Sequence, residues 1–296
     1  MKILKLFTLL WIISLTLSCN DEETPPAFFV FEDFEFVNNP SGPINQGSLR
    51  HKIPAAFVTL RPVEGESFSD DLGIQNIPST FPFLGSGEKK ITITPNVPIN
   101  GSSTLVDDHP HIAPLVFDNF QVEELQTYNL DLTFQYKNDN EIIFLLNEDF
   151  EGANHTFLDF ATDDMLGTFV NSTENVYEGN SSGQIVLNED MQETVALSLN
   201  SFELDPQKNP FIELDINTSI TLSFGIQPDV GDIRQIGGSF NTEGEWKKFY
   251  YPIRDFVTTA ENQGAQTYQF YFAAFIGDGD PAPSIFVDNI KVMQAR

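Results

Sequence analysis

Cysteine, basic charge and catalytic motifs are scarce in this chain. Of its 296 residues only Cys19 is a cysteine, so no disulfide framework, iron–sulfur cluster or thiolate zinc site can be built within it. Lysine and arginine number 15 against 43 aspartates and glutamates, a formal net charge of -28. A polyanion cannot release counterions from DNA or RNA, which argues against nucleic acid and bare anionic lipid as direct partners. Divalent cations, neutral sugars and basic protein surfaces stay open. Gly-x-Ser-x-Gly and Walker-type loops are missing, and with 43 acids a carboxylate pair can be drawn almost anywhere. An enzyme is not expected.

What is present is phenylalanine and alternation. The 28 Phe residues supply enough burial to make disorder implausible despite the acidity, at roughly 1.5–3 kcal/mol per buried ring. The length suits two domains. Leu130, Leu132, Phe134 and Tyr136 alternate with Asp131, Thr133 and Gln135, and Phe28 to Val37 reads as an opening strand with apolar residues at 28, 30, 34 and 36. No helical stripe accompanies them. Ile142 to Leu146, a five-residue apolar run before Asn147-Glu148-Asp149-Phe150-Glu151-Gly152, predicts the first strand of a second domain, and Ile285 to Val292 its last. In the latter, apolar positions 285 and 287 give way to 290 and 292, a slip that marks a β-bulge at Asp288-Asn289. Ile212, Leu214 and Ile216 alternate with Glu213, Asp215 and Asn217, as half-buried antiparallel strands do. The fold class expected is all-β, two β-sandwiches in series.

The amino terminus places Lys2 and Lys5 before an apolar run from Leu6 to Leu17, then Ser18 and Cys19. This is a secretory signal, too short for a stable membrane span. Thr16-Leu17-Ser18-Cys19 resembles the lipobox of bacterial lipoproteins in the relaxed form usual in Bacteroidota, which implies lipidation at Cys19 and loss of residues 1–18. The acidic Asp21-Glu22-Glu23 that follows resembles the signals that carry such lipoproteins to the cell surface. An outer-membrane, surface-exposed, lipid-anchored address is the expectation, with residues 19–27 as an acidic tether.

Ala56-Phe57-Val58-Thr59-Leu60, Leu72-Gly73-Ile74, Ile77-Pro78, Phe81-Pro82-Phe83-Leu84, Ile91-Thr92-Ile93-Thr94-Pro95 and Asn100-Gly101 resemble the small PEGA-type (Ig-like) β-sandwiches of Bacteroidota lipoproteins. That resemblance implies a spacer or protein-contact module over 28–140. Over 141–296, Glu148 to Gly152, Glu178-Gly179-Asn180-Ser181-Ser182-Gly183, Trp246 to Tyr250 and Ile285 to Val292 resemble the galactose-binding-like jelly roll of carbohydrate-binding modules. It implies glycan binding, and a structural calcium carried by Glu151 and Asp288 between the first and last strands.

Asp107-Asp108-His109-Pro110-His111 reads either as a metal cluster or as a solvated turn; the turn is preferred, since nothing in the sequence supplies the outer partners that metal-bound histidines need. His51 and His155 read as surface residues. Trp246 and Tyr271 are candidate sugar platforms, although Trp246 also suits a core position and is assigned there. The functional expectation is a non-catalytic surface lipoprotein whose jelly roll binds glycan or another extracellular ligand. The alternative is a structural subunit of an outer-membrane complex, with a protein partner.

Overall fold

The computed structural model describes residues 25–63, 70–102, 104–152, 156–159, 169–231, 235–277 and 281–296. Cys19, Asp21-Glu22-Glu23 and His155 lie outside the described residues. The protein is all-β, with one α-helix among the described residues, α1 (Arg254–Glu261), and a 3-10 turn at Pro206–Lys208.

In the first sandwich, β1 (Ala27–Phe31), β2 (Phe34–Phe36), β3 (Ala55–Pro62), β4 (Asp70–Asn76) and β5 (Ser79–Phe83) are followed by β6 (Gly87–Pro98), β7 (Val106–Asp108), β8 (Leu115–Val122), β9 (Thr127–Asn129) and β10 (Leu132–Phe134). One layer runs β4-β3-β6-β7 with β8 also on β6; the other is made of β5-β1-β9 and β10-β2. The opening strand differs from expectation. It breaks at Glu32-Asp33, and the inward residues are Ala27, Phe29 and Phe31 rather than 28 and 30. Phe29 packs on Phe81, Phe83, Phe120 and Tyr128, which fixes that parity. Leu130 to Tyr136 behaves as expected, with even positions buried and Asp131 and Thr133 exposed.

The second sandwich holds β11 (Ile142–Glu148), β12 (Phe157–Asp159), β13 (Phe169–Ser172), β14 (Ser182–Ile185), β15 (Glu193–Ser198) and β16 (Phe211–Thr218). It continues with β17 (Leu222–Pro228), β18 (Gln235–Phe240), β19 (Lys247–Pro252), β20 (Tyr268–Phe275) and β21 (Ile285–Ala295). Its first sheet runs β13-β14-β21-β16-β19 with β11 beside β21, and its second β12-β15-β20-β17-β18. First and last strands pair antiparallel, from Ile142 opposite Ala295 to Glu148 opposite Ile290. The bulge falls where the parity slips. Glu213 faces Lys291 but Asp215 faces Asp288, so β21 carries one residue more than β16 across that interval. Asn289 sits there at φ 50°, a left-handed conformation that asparagine tolerates. Ile285, Val287, Ile290 and Val292 thereby all reach the core between the sheets.

The expected half-burial of β16 is overturned, for every residue in it is buried. The first sandwich packs over Glu213, which meets its His51, His109 and Tyr136, while Asp215 is covered by Lys248 and Asn289 of the second. Ile142, Phe211, Tyr250 and Met293 of the second half belong to the hydrophobic core of the first.

Candidate functional site

The most polar region of the interior lies between the sandwiches. Tyr136, at the end of the first, donates its hydroxyl to Glu213 Oε1 and Oε2 at 3.0 Å each. His109 Nε2 lies 2.8 Å from Glu213 Oε1. Because His109 Nδ1 accepts the His111 backbone N–H, the ring proton sits on Nε2 and is donated to the carboxylate. Lys291 Nζ donates to Ser48 O at 2.7 Å and to the Tyr136 hydroxyl at 2.9 Å. Lys248 Nζ lies 3.3 Å from Asp215 Oδ2 and 3.8 Å from Glu213 Oε2. His51 stands 3.9 Å from Glu213 with both side chains at 0% exposure.

Burial works to raise Glu213, but the His109 hydrogen bond and the Lys291 charge outweigh it and hold the carboxyl well below the usual range, while burial holds His51 well below its own ordinary value and so uncharged. Burial lowers Lys291 to about 8 against the pull of Glu213. Burial and the neighbouring His109 lower His111 to about 3, and its Nε2–H donates to Asn209 O at 2.8 Å. Asp107 to His111 does form a turn between β7 and β8 with both aspartates exposed, as preferred, but its two histidines are not solvated: they are buried ties between the halves. His51 is corrected likewise.

The rim expected to hold Glu151 and Asp288 is a loop held from two sides. Glu151 accepts from Asn180 N at 2.7 Å, Asn180 Nδ2 at 2.9 Å and Ser181 N at 3.0 Å, and those donors hold it below its ordinary value. Gly179 makes that approach possible: its φ is 75°, and a Cβ there would collide with Glu151 Oε1. Asp288 is buried, accepts from Glu178 N at 3.3 Å and Asn289 N at 2.8 Å, and burial raises it to about 7. Among the described residues no three His, Cys, Asp or Glu side chains converge as metal ligands. Calcium takes six to eight oxygens, so main-chain carbonyls and water would have to supply most of them.

The same loop carries the aromatic surface. Tyr177 and Trp246 are both half-buried, with ring centroids 5.4 Å apart at 42°. This corrects the core assignment of Trp246. Its indole N–H is spent on Asn175 Oδ1 at 2.9 Å, so what the ring offers to solvent is carbon. Arg50, from the first half, stands 5.2 Å over the Tyr177 ring, donates to Tyr177 O at 3.1 Å and lies 3.9 Å from Glu178. Ser48 donates to Glu178 Oε2, the same oxygen that faces Arg50. Tyr271, by contrast, is 1% exposed in the middle of β20, and Phe275, at its end, is 65% exposed. Arg50, Tyr177 and Asn175 were not singled out by the sequence, and only the motif around Glu178 pointed near them.

A cavity of about 450 Å3 in the first sandwich is lined by the acids Glu32, Asp33, Glu35 and Asp131 together with Asn129 and Thr133, whose side chains can also donate. A smaller one of about 210 Å3 opens at the end of β17 and β20.

No protein-family profile matches the chain, and no curated protein matches it. Solved structures similar to it include a family 30 carbohydrate-binding module at 15% identity and TM-score 0.36, over 51% of this chain and 89% of that one. The family 29 module CBM29_1 from Piromyces equi aligns at 13% identity and TM-score 0.33, over 52% and 91%. A family 11 module from Clostridium thermocellum, in complex with a β-1,3-1,4-mixed-linked tetrasaccharide, aligns at 14% and 0.32, over 51% and 95%. At likenesses this low, what the chain does has to be read from its own residues.

Proposed function

We propose that this chain is a non-catalytic, lipid-anchored surface protein of the outer membrane that binds neutral glycan on the Tyr177–Trp246 platform. The observation that carries the reading is the pair itself: two half-buried rings, the indole N–H already satisfied by Asn175, with Arg50 over the Tyr177 ring and Glu178 beside it. Such a surface offers carbon to the C–H face of a sugar ring and donors and acceptors to its hydroxyls. The acidic balance favours a neutral sugar over a charged one. The order basic, apolar, small, Cys19 supports the anchor.

Affinity electrophoresis through gels containing neutral soluble polysaccharides tests it. The chain should be retarded by at least one polymer and Trp246→Ala should run free, with an unchanged melting temperature. Equal retardation of both proteins, or none with any polymer, would contradict the reading.

A further inference from the structure

Lys248 and Asp215 stand directly opposite each other on β19 and β16, neighbouring strands of the sheet that leads from Trp246. Lys248 Nζ lies 3.3 Å from Asp215 Oδ2 and 3.8 Å from Glu213 Oε2, with the lysine side chain 4% exposed and both acids at 0%. An amine, a carboxyl carbon and a second carboxylate thus share one place closed to water. The two oxygens of Asp215 are not alike. Oδ2 also accepts from Asn289 Nδ2 at 3.1 Å, whereas Oδ1 is buried with no hydrogen-bond partner among the described residues. A buried carboxyl oxygen left unpaired is costly, and neither the platform nor the ties between the halves make use of it.

We propose that Lys248 and Asp215 become joined by an intramolecular isopeptide bond that staples β19 to β16. The Lys248 ammonium first gives a proton to Asp215 Oδ1, which leaves a neutral amine beside a neutral acid. The amine lone pair attacks Asp215 Cγ while Asn289 Nδ2 donates to Oδ2, where negative charge develops. Glu213 Oε2 takes a second proton from the nitrogen and passes it to the Oδ1 hydroxyl. The bond from Cγ to Oδ1 then breaks with its electron pair, and one water leaves. A carbon–nitrogen bond replaces a carbon–oxygen bond, and nothing is oxidised or reduced. Burial raises the Asp215 carboxyl above its ordinary value, which favours the first transfer. Burial works to lower Lys248, but Asp215 and Glu213 outweigh it and raise it, so the transfer is slow, and each molecule needs it once. With Cys19 the only cysteine, no disulfide can brace this sheet, and β19 ends its strand order. The bond stands whether or not the platform binds glycan.

Peptide mapping of the full chain by mass spectrometry tests it. The folded protein is held at neutral pH for several days, then denatured and digested with trypsin, which cannot cut after an acylated lysine. Residues 209–234 should emerge joined to 248–254, lighter than the two peptides together by one water. Lys248→Arg and Asp215→Ala should each leave the two segments separate. Glu213→Gln, close to the parent in size, should join them about a hundredfold more slowly, the worth of a positioned proton acceptor. A wild-type digest in which 209–234 and 249–254 are both released in full overturns the inference. So does a joined product in Lys248→Arg, or a Glu213→Gln chain that joins as fast as the parent.

Discussion

Lys291 Nζ lies 2.9 Å from the hydroxyl of Tyr136, so the last strand of the second sandwich is bonded to the last segment of the first in a place water does not reach. The Tyr136 hydroxyl in turn donates a hydrogen bond to the Glu213 carboxylate, which accepts a second from His109 Nε2. A chain of this kind joins the halves firmly. The first sandwich is a wall of the second, and Arg50 of the first completes the surface built by Tyr177 and Trp246.

Removing Glu213 should be the costliest single change. Glu213→Ala leaves Lys291 and Lys248 buried without that partner, and breaking a buried pair this way costs about 3–5 kcal/mol. Chemical denaturation measures it. The double change Glu213→Leu with Lys291→Met should cost much less than the two singles summed, because no charge is then stranded. Additive losses would show that the two do not act together.

Asp288 should oppose stability as pH rises. Its folded value of about 7 lies above the ordinary 3.8, because burial penalises the ionised form. The folded protein therefore holds a proton that the unfolded chain releases. The penalty is absent below the ordinary value, grows from there, and is complete above about pH 7. Asp288→Asn keeps an acceptor for the Glu178 amide and removes the penalty. Its stability relative to the parent should rise between pH 4 and pH 8, and a difference constant with pH would contradict this.

The bulge behind Asp288 could be read from the sequence, because a parity slip of the apolar residues is itself the record of an extra residue in a strand. The alternation of Glu213 and Asp215 with Ile212 and Leu214 was legible for the same reason. What covered those acids was not. Hydrophobic patterning tells which residues share a face, but Glu213, His109 and His51 meet only because two separate sandwiches pack together, and no local period encodes that contact. Trp246 was misassigned on the general habit of large aromatics, since the partner that holds its N–H, Asn175, lies 71 positions away.

Gly179→Ala should loosen the rim loop. The positive φ costs an L residue roughly 1–2 kcal/mol, and the added methyl pushes Glu151 off the Asn180 and Ser181 amides. Thermal unfolding should fall by several degrees and glycan binding should weaken, since Tyr177 rides on the same loop. A variant with the parent's melting temperature and affinity would show the loop is held elsewhere.

Calcium at Glu151 and Asp288 is proposed as structural. An ion bound only by the folded state stabilises by about 2.7 kcal/mol at a hundred times its dissociation constant. The full chain should melt higher in calcium than in chelator, and Asp288→Ala should erase the gap. Equal melting temperatures in both buffers would leave the two acids as fasteners of the 178–181 loop.

A chain beginning at residue 19 has Trp246 as its single tryptophan, Trp11 being the other in the full sequence. Its fluorescence therefore reports one place. Titration with an oligosaccharide cut from a polymer that retards the protein should shift and saturate that emission, with the same midpoint as calorimetry. Binding detected by calorimetry with the emission unmoved would place the glycan away from Trp246 and contradict the platform.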